Sequence, residues 1–260
     1  MNYVKSCLII TMLLGVGYSQ CDANGDGDLD VLDVVIEVDC ILTDCWEGES
    51  VCVDYDGNVY ETIQIGEQLW MAENLKVTTY KDGSEIPTGY SNSEWGWLDM
   101  GAYAVYDDDP VNADIYGNLY NWYAVDDDRG VCPEGWHVPS DEEFMELEMF
   151  LGMSEEEANS SGWRGTNEGS KLAGNTGLWS NGNLENNNEF GTSGFSAFPA
   201  GYRFSNSGYY IGMGIDGYFW SSSESSSFDA WYRLLSYYYS DVSRYNLNKL
   251  VGFSIRCLGD

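Results

Sequence analysis

The chain opens on a short apolar run, Cys7 to Val16, that follows a single cation, Lys5, and ends at the small residues Gly17 and Ser19. A run of about ten residues is too short to cross a bilayer but suits the core of a secretory signal. We therefore expect residues 1–19 to be a signal peptide cut after Ser19. Lipidation at Cys21 fits less well, because Gln20 is a poor residue before a lipidated cysteine. Further on, Val34, Val35, Val38, Ile41 and Leu42 recur at helical spacing. From about Val51 the period shortens to two. Val59 to Ile65 alternates, Gly66-Glu67-Gln68 reads as a turn, and Leu69-Trp70-Met71 returns, which predicts a hairpin. Ser140 and Glu143 have capping-box spacing, Phe144, Leu147 and Leu151 form one stripe, and Gly152 ends the predicted helix. Gly217 to Ser221 and Val251 to Cys257 read as short aromatic or β-branched strands. No segment after the first is apolar enough to span a membrane.

Composition narrows the function classes. The 260 residues include 43 acidic and only 11 basic ones, for a net charge of −32. Such a chain repels phosphate backbones and anionic lipid surfaces, which excludes nucleic acid as a ligand and makes calcium a natural partner. Thirty glycines against five prolines, with 15% aromatics, predict short strands and many loops rather than a helical bundle. Loss of residues 1–19 removes Cys7 and leaves six of the seven cysteines. An even number in an exported chain predicts disulfides. Cys21, Cys40, Cys45 and Cys52 are expected to pair among themselves, in an order left open. A zinc site is disfavoured, because no Cys-x-x-Cys occurs and His137 is the single histidine.

Residues 22–33, Asp-Ala-Asn-Gly-Asp-Gly-Asp-Leu-Asp-Val-Leu-Asp, have the spacing of an EF-hand calcium loop. Asp22, Asn24 and Asp26 stand at the first three ligand positions. Gly27 permits the sharp turn, Asp28 offers its carbonyl, and Asp33 closes the loop. Without an ion these carboxylates would repel one another, so bound Ca2+ explains their clustering. Residues 20–45 resemble one repeat of a dockerin, the calcium module that docks onto cohesins. There is one loop where dockerins have two, and Val31 and Leu32 stand where small hydroxyl residues usually meet the partner. The resemblance therefore carries calcium binding over, and cohesin docking does not follow. A calcium-braced, disulfide-tied stalk over residues 20–50 is expected.

A second resemblance covers about residues 53–260. It is carried by Asp56-Gly57-Asn58-Val59-Tyr60, Gln68-Leu69-Trp70-Met71-Ala72-Glu73-Asn74-Leu75, Leu119-Tyr120-Asn121-Trp122, Cys132-Pro133-Glu134-Gly135-Trp136-His137-Val138-Pro139, Pro199-Ala200-Gly201-Tyr202-Arg203, Phe219-Trp220-Ser221-Ser222 and Gly252-Phe253-Ser254-Ile255-Arg256-Cys257. Together these strings resemble the Fibrobacter succinogenes major paralogous domain, which is similar to C-type lectin-like and formylglycine-generating folds. The resemblance implies an α+β domain over residues 51–260, with short antiparallel sheets, one or two helices and long loops. It also implies a disulfide between Cys132 and Cys257.

Formylglycine-type oxidation needs a reactive cysteine pair, and Cys132 and Cys257 are better suited to a structural bridge. A Ser-His-Asp site would have to use His137, flanked by Trp136 and Val138, where a packed or hydrogen-bonded histidine is expected. With 43 acids, a glycosidase carboxylate pair has no specific signal. The Glu-Pro-Asn, Gln-Pro-Asp and Trp-Asn-Asp strings of sugar-coordinating C-type lectins do not occur. Residues 209–210 and 225–250, in contrast, mix tyrosine with Ser, Asn and Asp, the chemistry of a paratope. Tyr209, Tyr210, Tyr232, Tyr237, Tyr239, Asp241, Tyr245, Asn246 and Asn248 are the expected ligand-binding residues, and about half of the tyrosines should face solvent. The expected function is non-enzymatic recognition of an extracellular glycan or protein, by a secreted or cell-surface protein. The alternatives are a structural assembly or adhesion component and, third, a carbohydrate-active enzyme.

Overall fold

The computed structural model describes residues 7–11, 17–21 and 52–260. The chain divides into two units, residues 1–50 and 51–260. In the first, Cys7–Thr11 pairs antiparallel with Gly17–Cys21. The expected calcium ligands Asp22, Asn24, Asp26, Asp28 and Asp33 lie outside the described residues, as do Cys40 and Cys45.

The second unit is a mixed α/β domain of mostly sheet, the α+β class. Its largest sheet has six strands in the spatial order Gly162–Arg164, Val242–Asn248, Asp229–Ser236, Asp216–Glu224, Ala200–Arg203 and Tyr210–Met213. A second sheet orders Thr62–Ile65, Gln68–Met71, Leu258–Gly259 and Trp136–His137. The predicted hairpin is present, with Ile63 opposite Trp70 and Ile65 opposite Gln68. One expectation needs correction. Ala200–Arg203 runs parallel to Asp216–Glu224, paired through Gly201 and Gly217, so the sheets are not wholly antiparallel. The Tyr210–Met213 strand lies outside it on the far edge, and the chain returns through it to enter the next strand in the same direction.

The predicted long helix spans Asp141–Phe150, and both bonds of its Ser140–Glu143 capping box form. Gly152 follows it at φ 124°, a conformation that favours glycine and stops the helix. More helices occur than the one or two expected. Asn92–Trp95, Pro110–Tyr116, Trp122–Val125 and Glu155–Asn159 are each capped by a Ser, Asp or Asn side chain. Each such cap satisfies a free N–H and allows one or two turns within what the composition presents as loop.

The segment Val251–Leu258 is wholly buried and joins the two sheets. Phe253 exchanges backbone bonds with Tyr120, Ser254 bonds to Tyr218 and Trp220, and Ile255 and Cys257 accept from Leu75 and Met71. Read as a strand from its sequence, it becomes a regular strand only at Leu258–Gly259, because its partners change at almost every residue. Cys257 is bonded to Cys132 across 125 residues of sequence, as the resemblance implied. Cys52 departs from the expected pairing with Cys21, Cys40 and Cys45. It is a free thiol, buried beside Tyr60 in a core cluster with Met71 and Ile255, and burial followed by the nearby Asp54 pushes its pKa up to about 12.

Candidate binding surface

The six-stranded sheet presents two unlike faces. Period-two alternation sends Arg233 and Leu235 toward the long helix, and Tyr232 and Leu234 to the other side. On the helix side lies a buried charge network. Asp141 accepts from Arg233 Nη1 at 2.6 Å and from Arg244 Nη2 at 2.5 Å. Glu148 accepts from Arg233 Nε at 2.7 Å and from Arg164 Nη2 at 2.6 Å. Asp141 and Glu148 are two helical turns apart and share the face that also buries Phe144 and Leu147. Burial alone would raise the Asp141 carboxyl, but the hydrogen bonds and charges of Arg244 and Arg233 outweigh it and hold it below the usual carboxylate range. The network is scaffolding, because it fixes three strands against the helix.

Two more arginines lock loops. Arg203, fully buried, donates to the carbonyls of Gly208 and Tyr90 and stacks on Trp95, 4.4 Å from the ring centre. Arg256 donates to Asn74 Oδ1 and to the carbonyls of Met71, Phe195 and Ser196. Both thereby satisfy buried carbonyls of irregular backbone, Arg256 also that of Met71 at the end of its strand.

The other face of the sheet carries a row of tyrosines. Tyr202 and Tyr218 meet at 4.9 Å between ring centres, Tyr218 and Tyr232 at 5.9 Å, and Tyr232 lies directly opposite Tyr245 on the next strand. Phe253 stacks on Tyr218 at 4.7 Å. Tyr232 is buried in this row, and Tyr245 is the exposed end of it.

The turn between Asp229–Ser236 and Val242–Asn248 presents a second aromatic group. Tyr239 lies 4.3 Å from Trp163 of the edge strand and 5.1 Å from Tyr238, and all three are exposed. The turn is held by backbone bonds on both sides. Tyr237 N donates to the Ile215 carbonyl, and Leu184 N donates to the Tyr237 carbonyl. Ser170 N donates to the Ser240 carbonyl, and Ser240 Oγ to that of Thr166. Two glycines allow this close approach. A Cβ on Gly182 would overlap the Tyr237 carbonyl oxygen, and one on Gly169 that of Asp241.

The expected ligand-binding residues therefore fall into separate places. Tyr239 belongs to the turn surface. Tyr237 stands at its base, half-buried against the core, and Asp241 is half-buried at the turn's end. Burial raises the Asp241 carboxyl, and the charge of Glu168 adds to that. Tyr232 and Tyr245 lie on the tyrosine face. Asn246 and Asn248 pair with Trp231 and Asp229 and so project from the opposite, helix side. Tyr209 is exposed, whereas Tyr210 donates to Asp108 Oδ1 at 2.6 Å and packs on Tyr106. Trp163, absent from the expected set, supplies the ring against which Tyr239 is set. Its sequence signal is one large aromatic in an otherwise polar stretch.

His137 is hydrogen-bonded on both sides: Nδ1 lies 2.7 Å from Asp260 Oδ1, and Nε2 lies 3.0 Å from Glu143 Oε1. Partial burial opposes its charged form, but the bonds to Asp260 and Glu143 prevail and raise its pKa above the ordinary histidine value.

Residues 63–258 match the model of the Fibrobacter succinogenes major domain, and the chain belongs to that family. No curated protein and no solved structure matches it.

Proposed function

We propose that the protein is a secreted or cell-surface, non-enzymatic binding protein that recognises a glycan or protein ligand. In this reading residues 51–260 form a C-type lectin-like domain, and the turn Tyr237–Asp241 with Trp163 is its binding surface. The observation that carries the reading is the Trp163–Tyr239–Tyr238 group, exposed on a turn clasped by four hydrogen bonds to other segments. Such rings offer large contact area with few rotors to freeze, and their faces suit the apolar C–H surface of a sugar. Because the turn is already fixed, binding forfeits little backbone entropy. The net charge of −32 favours a neutral or cationic ligand.

Calcium belongs to the other unit in this proposal. Asp22, Asn24, Asp26, Asp28 and Asp33 would hold one Ca2+ and brace the segment ahead of the binding domain. The test of the binding reading is a screen of the full chain against immobilised glycans and extracellular proteins, repeated with Tyr239→Ala. Retention that the substitution abolishes supports it. Saccharide turnover lost on removal of one carboxylate would replace it with an enzyme, and concentration-dependent filaments with an assembly component.

A further inference from the structure

Trp163 stands opposite Ser243 on the Val242–Asn248 strand. Its diagonal neighbours there are Tyr245, two residues later, and Asp241, two residues earlier, both within reach of an aromatic side chain. Tyr239 lies against its ring, 4.3 Å between centres. Tyr238, Tyr239, Trp163 and Tyr245 are exposed at 57%, 40%, 38% and 53%, so a ligand in solvent can reach all four rings.

Both feet of the turn carry a carboxylate without a cation. Asp241 is its last residue, and Asp216 pairs with Ser236, the residue before its first. Both are half-buried and keep surface open to solvent. Among the described residues neither has a Lys or Arg partner. Burial raises both carboxyls, against the bond from the Ser236 hydroxyl to Asp216. The sheet's own cations are committed elsewhere. Arg164, next to Trp163 in sequence, turns to the helix side with Arg233 and Arg244, and all three bond to Glu148 or Asp141.

Exposed rings bordered by uncompensated carboxylates match a cation. A guanidinium or ammonium places its charge on ring faces, Trp best of all, and neutralises a carboxylate at the same time. A sugar hydroxyl bonds to the carboxylate but leaves its charge in place. The net charge of −32 draws ligands of the same positive sign from a distance. Resting on the reading of this turn as the binding surface, we propose that its ligand is a basic segment of a partner protein. One Arg or Lys of that segment lies over Trp163 and Tyr239 and pairs with Asp241, and Asp216 faces a second.

The test is a two-dimensional amide NMR titration of the full chain with a short arginine–glycine peptide. A glutamate–glycine peptide and maltohexaose are the anionic and neutral counterparts. The arginine peptide is expected to shift the signals of Trp163, Tyr238, Tyr239 and Asp241 in a saturable way, and the counterparts are not. Trp163→Ala and Asp241→Asn should each weaken it about five-fold or more. Glu67→Gln removes the same charge from an exposed hairpin turn and should weaken it less than about two-fold, which separates recognition at the turn from attraction by net charge. If maltohexaose binds the turn as tightly as the peptide, this proposal is overturned while the turn remains a binding surface. Peptide shifts scattered over the acidic surface, equal losses in Glu67→Gln and Asp241→Asn, or no shift at the turn overturn it as well. The map on the unsubstituted chain decides the matter even if a variant does not fold.

Discussion

Arg233 and Arg244 stand directly opposite each other on neighbouring strands, and a single carboxylate, Asp141, bonds to both. Like charges in register destabilise a sheet unless something lies between them. Glu148 already serves Arg233 and Arg164, so three guanidiniums share two carboxylates out of solvent. Asp141→Asn should therefore lower stability by about 3–5 kcal/mol, the usual result of breaking a buried pair. The midpoint of urea unfolding measures it. A shift worth less than about 1 kcal/mol would show that Asp141 is not what separates the two arginines.

The Cys132–Cys257 bridge anchors the buried segment that both sheets share. It closes a long loop, 125 residues in sequence separation, and constrains the unfolded chain strongly. The double substitution Cys132→Ser with Cys257→Ser should cost about 2–5 kcal/mol. Thermal unfolding of this variant and of the parent chain compares them directly. Equal midpoints would mean that the packing around Val251–Leu258 suffices alone.

The clasp on the aromatic turn depends on Gly169 and Gly182. Either glycine changed to Ala forces a Cβ onto a turn carbonyl, of Asp241 or Tyr237. Each variant is expected to fold, but with faster hydrogen exchange at Tyr237–Asp241 and weaker ligand binding. Exchange indistinguishable from the parent chain would contradict the close approach.

The two bonds of His137 give the domain a dependence on pH. Its pKa is raised in the folded state, so its contribution is complete below the unfolded value of about 6.5 and is lost as pH rises through the folded one. Asp141 has the opposite sign. Held low, it contributes above the ordinary carboxylate pKa of about 3.9 and loses that contribution as pH falls. Thermal midpoints of the parent chain and His137→Gln should differ at about pH 5.5 and converge at about pH 9. A difference that grows with pH would reverse the assignment.

The local signals were legible in the sequence. Ser140 and Glu143 marked a helix start because a capping box needs only neighbours, and Ile63 and Trp70 marked a hairpin because its turn is short. The pairing of Cys132 with Cys257 came from the family resemblance, since spacing alone does not choose partners. The buried network was not legible. Asp141 and Glu148 look like a solvated helix face until Arg233, Arg244 and Arg164 are folded over them. The C-terminal stretch is visibly rich in tyrosine, but strand alternation sends Tyr245 and Asn246 to opposite faces. Trp163 was missed because its meeting with Tyr239 is a matter of tertiary structure.

The most direct measurement is amide hydrogen exchange of the full chain with and without the best ligand from the binding screen. Recognition through the pinned turn requires protection at Tyr237–Asp241 and around Trp163, lost in Trp163→Ala. Protection confined to other segments, with that turn unchanged, would contradict it.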